Sequence, residues 1–464
     1  SPWENQVQEQ LKRNSTYRNW IAKGLDHEAA VDKMRQPVEM TIFNWKQGGA
    51  VDTTLAPLDS LRHYFTLLNA GLLAAEPASG VIKAWVGGID HRFVQYDHVK
   101  SRRQVGSIVK PIVYATAIEN GMRPCEYTPA ERMAYEDYNN YNPGNSNGKY
   151  EGVYSMRGGM SKSINTVAVN IAVRTGLEKV AQQARDLGLE AEVKPIPSLA
   201  LGTVEANLME MVRAYSAFAN RGSRSTKYHY LDRIETADGQ LIVEFKRPGR
   251  QDTRKVLSDS ASALTTYLLA GVVNNGTGAR LRSTYGIRGA LAGKTGTTQD
   301  QSDGWFLGFT PKLVVGSWVG AEYPAVHFRT LSRGSATATA LPVWGNFMRR
   351  VTRDDKLKQY RGGSFPRLDE MTVALLQCPD YLEEMPILYN DSLRGDVRLR
   401  EVDPATVQDL MRRKPRRRNE TPQDYVDRIE RELAKEERKE VRREKRKKFW
   451  GNVFFGKKKK DEGN

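Results

Sequence analysis

A serine hydroxyl attacks a carbonyl only when a base takes its proton, and a lysine can be that base when its pKa is depressed. Ser107 and Lys110 stand three residues apart in Gly106-Ser107-Ile108-Val109-Lys110-Pro111. On a helix this spacing puts them one turn apart on one face. A second Ser-x-x-Lys, from Ser146 to Lys149, falls in an Asn/Gly-rich stretch where no helix would hold the pair, and is set aside. Two more strings follow in order, Ser163-Ile164-Asn165 and Lys294-Thr295-Gly296-Thr297. Composition alone supplies roughly one or two Ser-x-x-Lys and about one Ser-x-Asn in a chain this long, but only about a hundredth of a Lys-Thr-Gly-Thr. Ser163 and Asn165 also suit the cap of a following helix. All three strings together point to a serine nucleophile with a lysine base.

Such chemistry needs rigid elements to carry it. Pro is tolerated only in a helix's first turn, so Pro111 predicts a helix starting near Ser107 and running through Ile118. Further helices are expected at 166–175, 208–220 and 260–273, the last with Ser258 and Ser260 as caps and Gly276 as a stop. Leu72 to Ala75 and Val81 to Ile89 read as a hairpin. Residues 290–297, 304–309 and 313–319 read as three consecutive strands. Residues 134–154, dense in Tyr, Asn and Gly, have the composition of a surface loop. Helices interrupting antiparallel strands predict an α+β, three-layer arrangement.

The three strings resemble the motif set of penicillin-recognising serine acyl transferases. The flanking segments Arg103 to Ser107, Ala200-Leu201-Gly202-Thr203, Ala214-Tyr215, Phe218 to Gly222 and Trp305 to Pro311 look like the transpeptidase domain of class A penicillin-binding proteins. Val105, Ile108 and Val109 depart from the family's usual residues without touching the chemistry. The resemblance implies a three-layer penicillin-binding fold and a D,D-transpeptidase that crosslinks peptidoglycan stem peptides and is acylated by beta-lactams. It implies Ser107 as nucleophile, Lys110 as base, Ser163 as proton relay and Asn165 as holder of Lys110 and of the substrate backbone. Lys294, Thr295, Gly296 and Thr297 would form the substrate-binding strand, with Lys294 and the hydroxyls of Thr295 and Thr297 on the terminal carboxylate. N–H groups of Ser107 and Thr297 would form an oxyanion hole. A D,D-carboxypeptidase or beta-lactamase shares the fold; a class A beta-lactamase would need a Glu-x-x-Leu-Asn loop, and none appears between Thr166 and Gly293. An inactive binding scaffold is the reading of another class.

The 464 residues carry 71 Lys/Arg against 55 Asp/Glu, a net charge of +16. From Met411 onward 21 basic residues meet 11 acidic ones, so the tail supplies +10 of this. Six His and no RNA-recognition or zinc-finger pattern argue against nucleic acid. The tail's aromatic residues Phe449 to Phe455, between basic runs, suit an anionic membrane or cell-wall surface. No cofactor or metal is implied. Two cysteines, Cys125 and Cys378, make no zinc site or disulfide framework, though one long-range bridge is open. Apolar runs stop well short of the roughly 20 residues of a membrane span. Residue 1 is Ser, and we read the chain as a fragment of a class A protein whose glycosyltransferase domain and membrane anchor lie upstream, working on the periplasmic face of the cytoplasmic membrane. The expected divisions are a linker or pedestal over 1–48 with a helical pattern, the transpeptidase domain over 49–350, an extension over 351–403, and a charged tail over 404–464, disordered or helical.

Overall fold

The computed structural model describes residues 4–368, 372–373 and 376–385, with the isolated positions 413–414, 428, 431–432 and 435. One compact unit comprises Ser1–Arg367 with Pro379–Glu383, and the remaining residues form a second. In the second unit Lys414 and Lys435 both pair with Glu432, at 2.9 and 3.0 Å. The charged tail expected over 404–464, with its aromatic stretch 449–455, falls outside the described residues, apart from positions 413, 414, 428, 431, 432 and 435.

The first unit is built on a five-stranded antiparallel sheet, ordered 292–297, 303–309, 314–321, 68–75, 82–86. Successive side chains on a strand point to opposite faces, and both faces here are covered. Leu73, Trp305, Leu307, Phe309, Val314 and Trp318 enter one core with the helices Lys110–Glu119, Asn165–Thr175 and Leu208–Ala219. Leu72, Phe306, Val315 and Val319 enter a second core with the amphipathic helix Ala340–Arg353. Trp344 of that helix is fully buried and donates its indole N–H to the Val315 carbonyl at 2.9 Å. Every residue of strand Val314–Ala321 is buried, as expected of the middle of a three-layer sandwich. The α+β, three-layer expectation is met.

Two departures concern the ends of the unit. The first 48 residues were expected to be helical, yet only Glu4–Arg13, Ser15–Ala22 and His27–Met34 are α-helices, and Val38–Asn44 pairs with Gly49–Leu55 as a hairpin. Val38, Met40 and Ile42 alternate with Glu39 and Thr41, a period of two that overrides the helical spacing before it. The helices pack with Pro57–Phe65 on a small core of Val7, Leu11, Met34, Leu58 and Phe65. At the other end, Tyr381–Leu382 returns as a strand beside Val153–Tyr154, which pairs in turn with Thr128–Pro129. Neither cysteine is free, and Cys125 and Cys378 are both in disulfide linkage.

Candidate active site

Ser107 lies in a 3₁₀ turn, Gly106–Val109, directly before the helix Lys110–Glu119, rather than in the helix itself. The cause is Pro111. An α-helical bond to the Ser107 carbonyl would need the N–H of residue 111, which proline lacks, so the N–H of Lys110 takes that carbonyl instead. The turn is held from several sides. Gly106 N–H donates to the Gly202 carbonyl at 3.1 Å, Tyr215 Oη to the Ile108 carbonyl at 2.8 Å, and Trp305 Nε1 to the Gln104 carbonyl at 3.0 Å. Gly202 has φ of +81°, and a Cβ there would stand 2.0 Å from the Gly106 carbonyl oxygen. Only glycine fits this approach. Ile108, Val109 and Lys110 are buried while Ser107 keeps partial exposure.

Lys110 is fully buried at the start of its helix. Its Nζ donates to the Ser163 carbonyl at 2.7 Å and to Asn165 Oδ1 at 2.7 Å, and lies 3.3 Å from Ser163 Oγ. Ser163 is not the cap of the following helix. It closes the helix Met156–Lys162 in the left-handed region at φ 59°, and Asn165 opens the helix Asn165–Thr175. Lys294, also fully buried, donates to Ser163 Oγ at 2.8 Å and to the Thr295 carbonyl at 3.0 Å. The Ser163 hydroxyl therefore sits between two lysines. Burial, and then the nearby Lys294 charge, hold Lys110 well below the ordinary lysine pKa. Burial lowers Lys294 to about 7. Burial thus weakens the hold of both lysines on their protons, for Lys110 with the added push of the Lys294 charge.

Strand Ala292–Thr297 brings the third motif to the turn. A Cβ at Gly296 would stand 2.8 Å from Ile108 Cγ2 and 3.1 Å from Ile108 N, so the absence of a side chain lets strand and turn touch. Thr295 and Thr297, two apart, share a strand face. Thr295 Oγ1 meets Thr277 Oγ1 at 2.7 Å, while Thr297 Oγ1 accepts the Ala336 N–H at 2.9 Å and so keeps its own proton to donate. Lys294 was expected at a substrate carboxylate beside these hydroxyls. It is fully buried and turned to Ser163.

Several participants escaped the sequence reading. Gly144, Asn145, Thr277 and Ala336 carry no motif. The 134–154 stretch is more than the surface loop its composition suggested, because Pro143 and Asn145 are buried within it. Ser146 and Lys149, the discarded pair, are exposed. Trp305 and Phe306 are fully buried in the two cores. Among the described residues no cluster of three or more His, Cys, Asp or Glu is placed to hold a metal.

A family model described as the penicillin binding protein transpeptidase domain matches residues 70–322, more than half of the chain. The chain belongs to that family. A second model, the penicillin-binding protein middle domain, matches residues 1–68. Penicillin-binding protein 1A of Rickettsia typhi is 31% identical over 313 residues, covering 62% of this chain and 39% of its own length. The protein of the same name from Aquifex aeolicus is 34% identical over 291 residues, covering 62% and 38%. The chain thus spans about two fifths of the length of these relatives. Among solved structures, penicillin-binding protein 1A from Haemophilus influenzae superposes with a TM-score of 0.57 at 23% identity, covering 65% of this chain and 49% of that one. The PonA1 protein of Mycobacterium tuberculosis in complex with penicillin V gives 0.54 at 18% identity, covering 78% and 96%. The resemblance read from the motifs is borne out: the chain carries a transpeptidase domain of the penicillin-binding protein 1A kind.

Proposed function

We propose that this chain is the crosslinking half of a class A penicillin-binding protein, a D,D-transpeptidase acting on peptidoglycan stem peptides through an acyl-enzyme on Ser107. The observation that carries the reading is the bonding of Lys110. A neutral amine has two N–H groups and one lone pair. The Ser163 carbonyl and Asn165 Oδ1, each at 2.7 Å, accept the two N–H groups, and the lone pair is left for a hydroxyl, with Ser163 Oγ 3.3 Å away. Lys110 removes the Ser107 proton as the oxygen attacks the carbonyl of the penultimate D-alanine. Ser163, polarised by Lys294, passes a proton to the departing D-alanine. Thr295 and Thr297 hold the terminal carboxylate, with the Lys294 charge nearby. N–H groups of Ser107 and Thr297 receive the developing oxyanion, an arrangement worth about 3 to 4 kcal/mol per donor. An amine of a neighbouring stem then takes the acyl group and forms the crosslink. A beta-lactam acylates the same serine.

The length of the relatives supports a glycosyltransferase domain and membrane anchor upstream in the native protein, and with them a periplasmic site of action. No described helix is long and apolar enough to cross a membrane. Mass spectrometry of a tryptic digest after exposure to penicillin tests the nucleophile. The adduct is expected on Ser107 and absent in Ser107→Ala; an adduct elsewhere, or none in the wild type, overturns the assignment. Products formed with dimeric stem peptides separate transfer from hydrolysis.

A further inference from the structure

We infer that Asn145, in the loop before the second motif, is a positioning residue that keeps Lys110 competent as a base by fixing which end of the Asn165 amide faces it. The inference rests on the acyl-enzyme reading above.

Asn145 is buried, and its side-chain oxygen accepts from the backbone N–H groups of Asn165 at 2.9 Å and Thr166 at 3.0 Å. Its amide nitrogen donates to the Lys149 carbonyl at 2.8 Å and lies 3.1 Å from Thr166 Oγ1. One side chain from a distant loop thus takes two of the N–H groups that a helix start leaves without partners. The helix Asn165–Thr175 has no side-chain cap of its own, since its N-cap is Ile164. Thr166 Oγ1 reaches the Ala130 carbonyl at 2.9 Å, which ties the same corner to the chain before the loop.

The neighbouring residue completes the device. Asn165 Nδ2 donates to the Gly144 carbonyl at 2.8 Å. A carbonyl can only accept, so the nitrogen end of the Asn165 amide must face Gly144 and the oxygen end must face Lys110. The reversed amide would point N–H groups at Lys110 Nζ. These would occupy the lone pair that removes the serine proton, and the amine would lose an acceptor that supports its protonated form. Through Asn145 and Gly144 the loop makes one orientation the only satisfied one. The charged group acting on Lys110 from the facing strand is Lys294, and the polar groups facing it from the loop between the helices are Ser163 and Asn165.

The test is the second-order rate of penicillin acylation as a function of pH in wild type, Asn145→Ala and Asn145→Asp, with non-covalent penicillin affinity taken from the saturation of the rate. Asn145→Ala frees the 144–149 loop, so the Asn165 amide samples both orientations. The plateau is expected to fall about 10- to 100-fold, the scale of a misplaced catalytic group, with affinity little changed and the acid limb displaced to lower pH. Asn145→Asp keeps the acceptor for both N–H groups and adds a negative charge near Lys110. It should hold the plateau within about tenfold of wild type, since Asp and Asn serve equally at helix starts, and should displace the limb to higher pH. A lower plateau with an unmoved limb in Asn145→Ala would mean structural damage alone and would overturn the inference. So would unchanged kinetics. If Asn145→Ala does not fold, Asn145→Asp decides by the direction of its limb, and an unmoved limb overturns the proposal. A wild type that penicillin does not label fails at the function itself, which keeps the two failures distinguishable.

Discussion

Two lysines share one hydroxyl in this site, and their burial divides the labour between them. Lys110 lies well below its ordinary pKa because it is enclosed and because Lys294 is close. Acylation should therefore switch on at a pH far under the unperturbed lysine value of about 10.4, and a stopped-flow pH profile reads this directly. Removing the second cation should move that profile in a defined direction. In Lys294→Gln the like charge beside Lys110 is gone, so Lys110 binds its proton more tightly and the acid limb shifts to higher pH. The plateau should drop by about 10² or more, because the proposed relay through Ser163 loses its hydrogen-bond partner. At this scale the order of the three strings was legible: Lys110, Ser163, Asn165 and Lys294 are linked by hydrogen bonds, and Gly296 of the third string touches the turn that holds Ser107. Asn145 was not legible. Its type is at home in a surface turn, and only the two N–H groups it meets, 20 and 21 residues away, distinguish a buried brace from a solvated one.

The helices and strands that carry the motifs were readable because each has a long period and a clear stop. The expected helix over 260–273 is Asp259–Asn274 capped by Ser258, whose Oγ accepts from Ala261 N–H, and the three late strands lie within two residues of their expected ends. Elements of two residues have no period to read. Tyr381–Leu382 is one of these, in a stretch expected to be a featureless extension. Its surroundings bear directly on the site. The Asp380 carbonyl accepts Ser155 N–H at 3.2 Å, Asp380 Oδ1 pairs with Arg157 at 2.6 Å, and Tyr127 Oη donates to the Pro379 carbonyl at 2.9 Å. These contacts clasp the first turn of the helix that ends at Ser163. A Cβ at Gly158 would stand 1.9 Å from the Asp380 carbonyl oxygen. Gly158→Ala should therefore cost about 1 to 3 kcal/mol, the range of overpacked sites, and slow penicillin acylation by displacing Ser163. Asp380→Ala, which loses a partly exposed ion pair, should cost about 1 kcal/mol or less and leave acylation within about twofold. Thermal melts and acylation rates measured on both variants check the ordering.

For the molecule as a whole, the buried lysines set how stability varies with pH. Lys294 titrates near 7 when folded and near 10.4 when unfolded. Below pH 7 it is charged in both states and the full cost of burying that charge stands. From about pH 7 upward the unfolded chain holds a proton that the folded one has released, so stability rises with pH. Lys110, lowered in the same direction, adds to the trend. The slope reaches about 1.4 kcal/mol per pH unit for each such group. Urea midpoints should climb between pH 7 and 9.5 and climb less in Lys294→Met; above that window Tyr215, whose pKa burial raises, works in opposition. On the other face of the sheet, Trp344→Ala should lower stability by about 3 to 5 kcal/mol, a change that urea denaturation at fixed pH measures. The order of the strands has a consequence for how the protein comes into being. The strand 68–75 pairs early with 82–86 but waits for its other partner, 314–321, and the Ser107 turn rests on a strand that follows it by some 185 residues of synthesis. The clasp at 379–383 emerges later still. A nascent chain therefore holds Ser107, the proposed nucleophile, long before the strand that carries Lys294 exists. Such long-range pairing folds slowly, and on the proposed mechanism the capacity to be acylated arrives last, with the final strand of the sheet and the segment that holds the helix leading to Ser163.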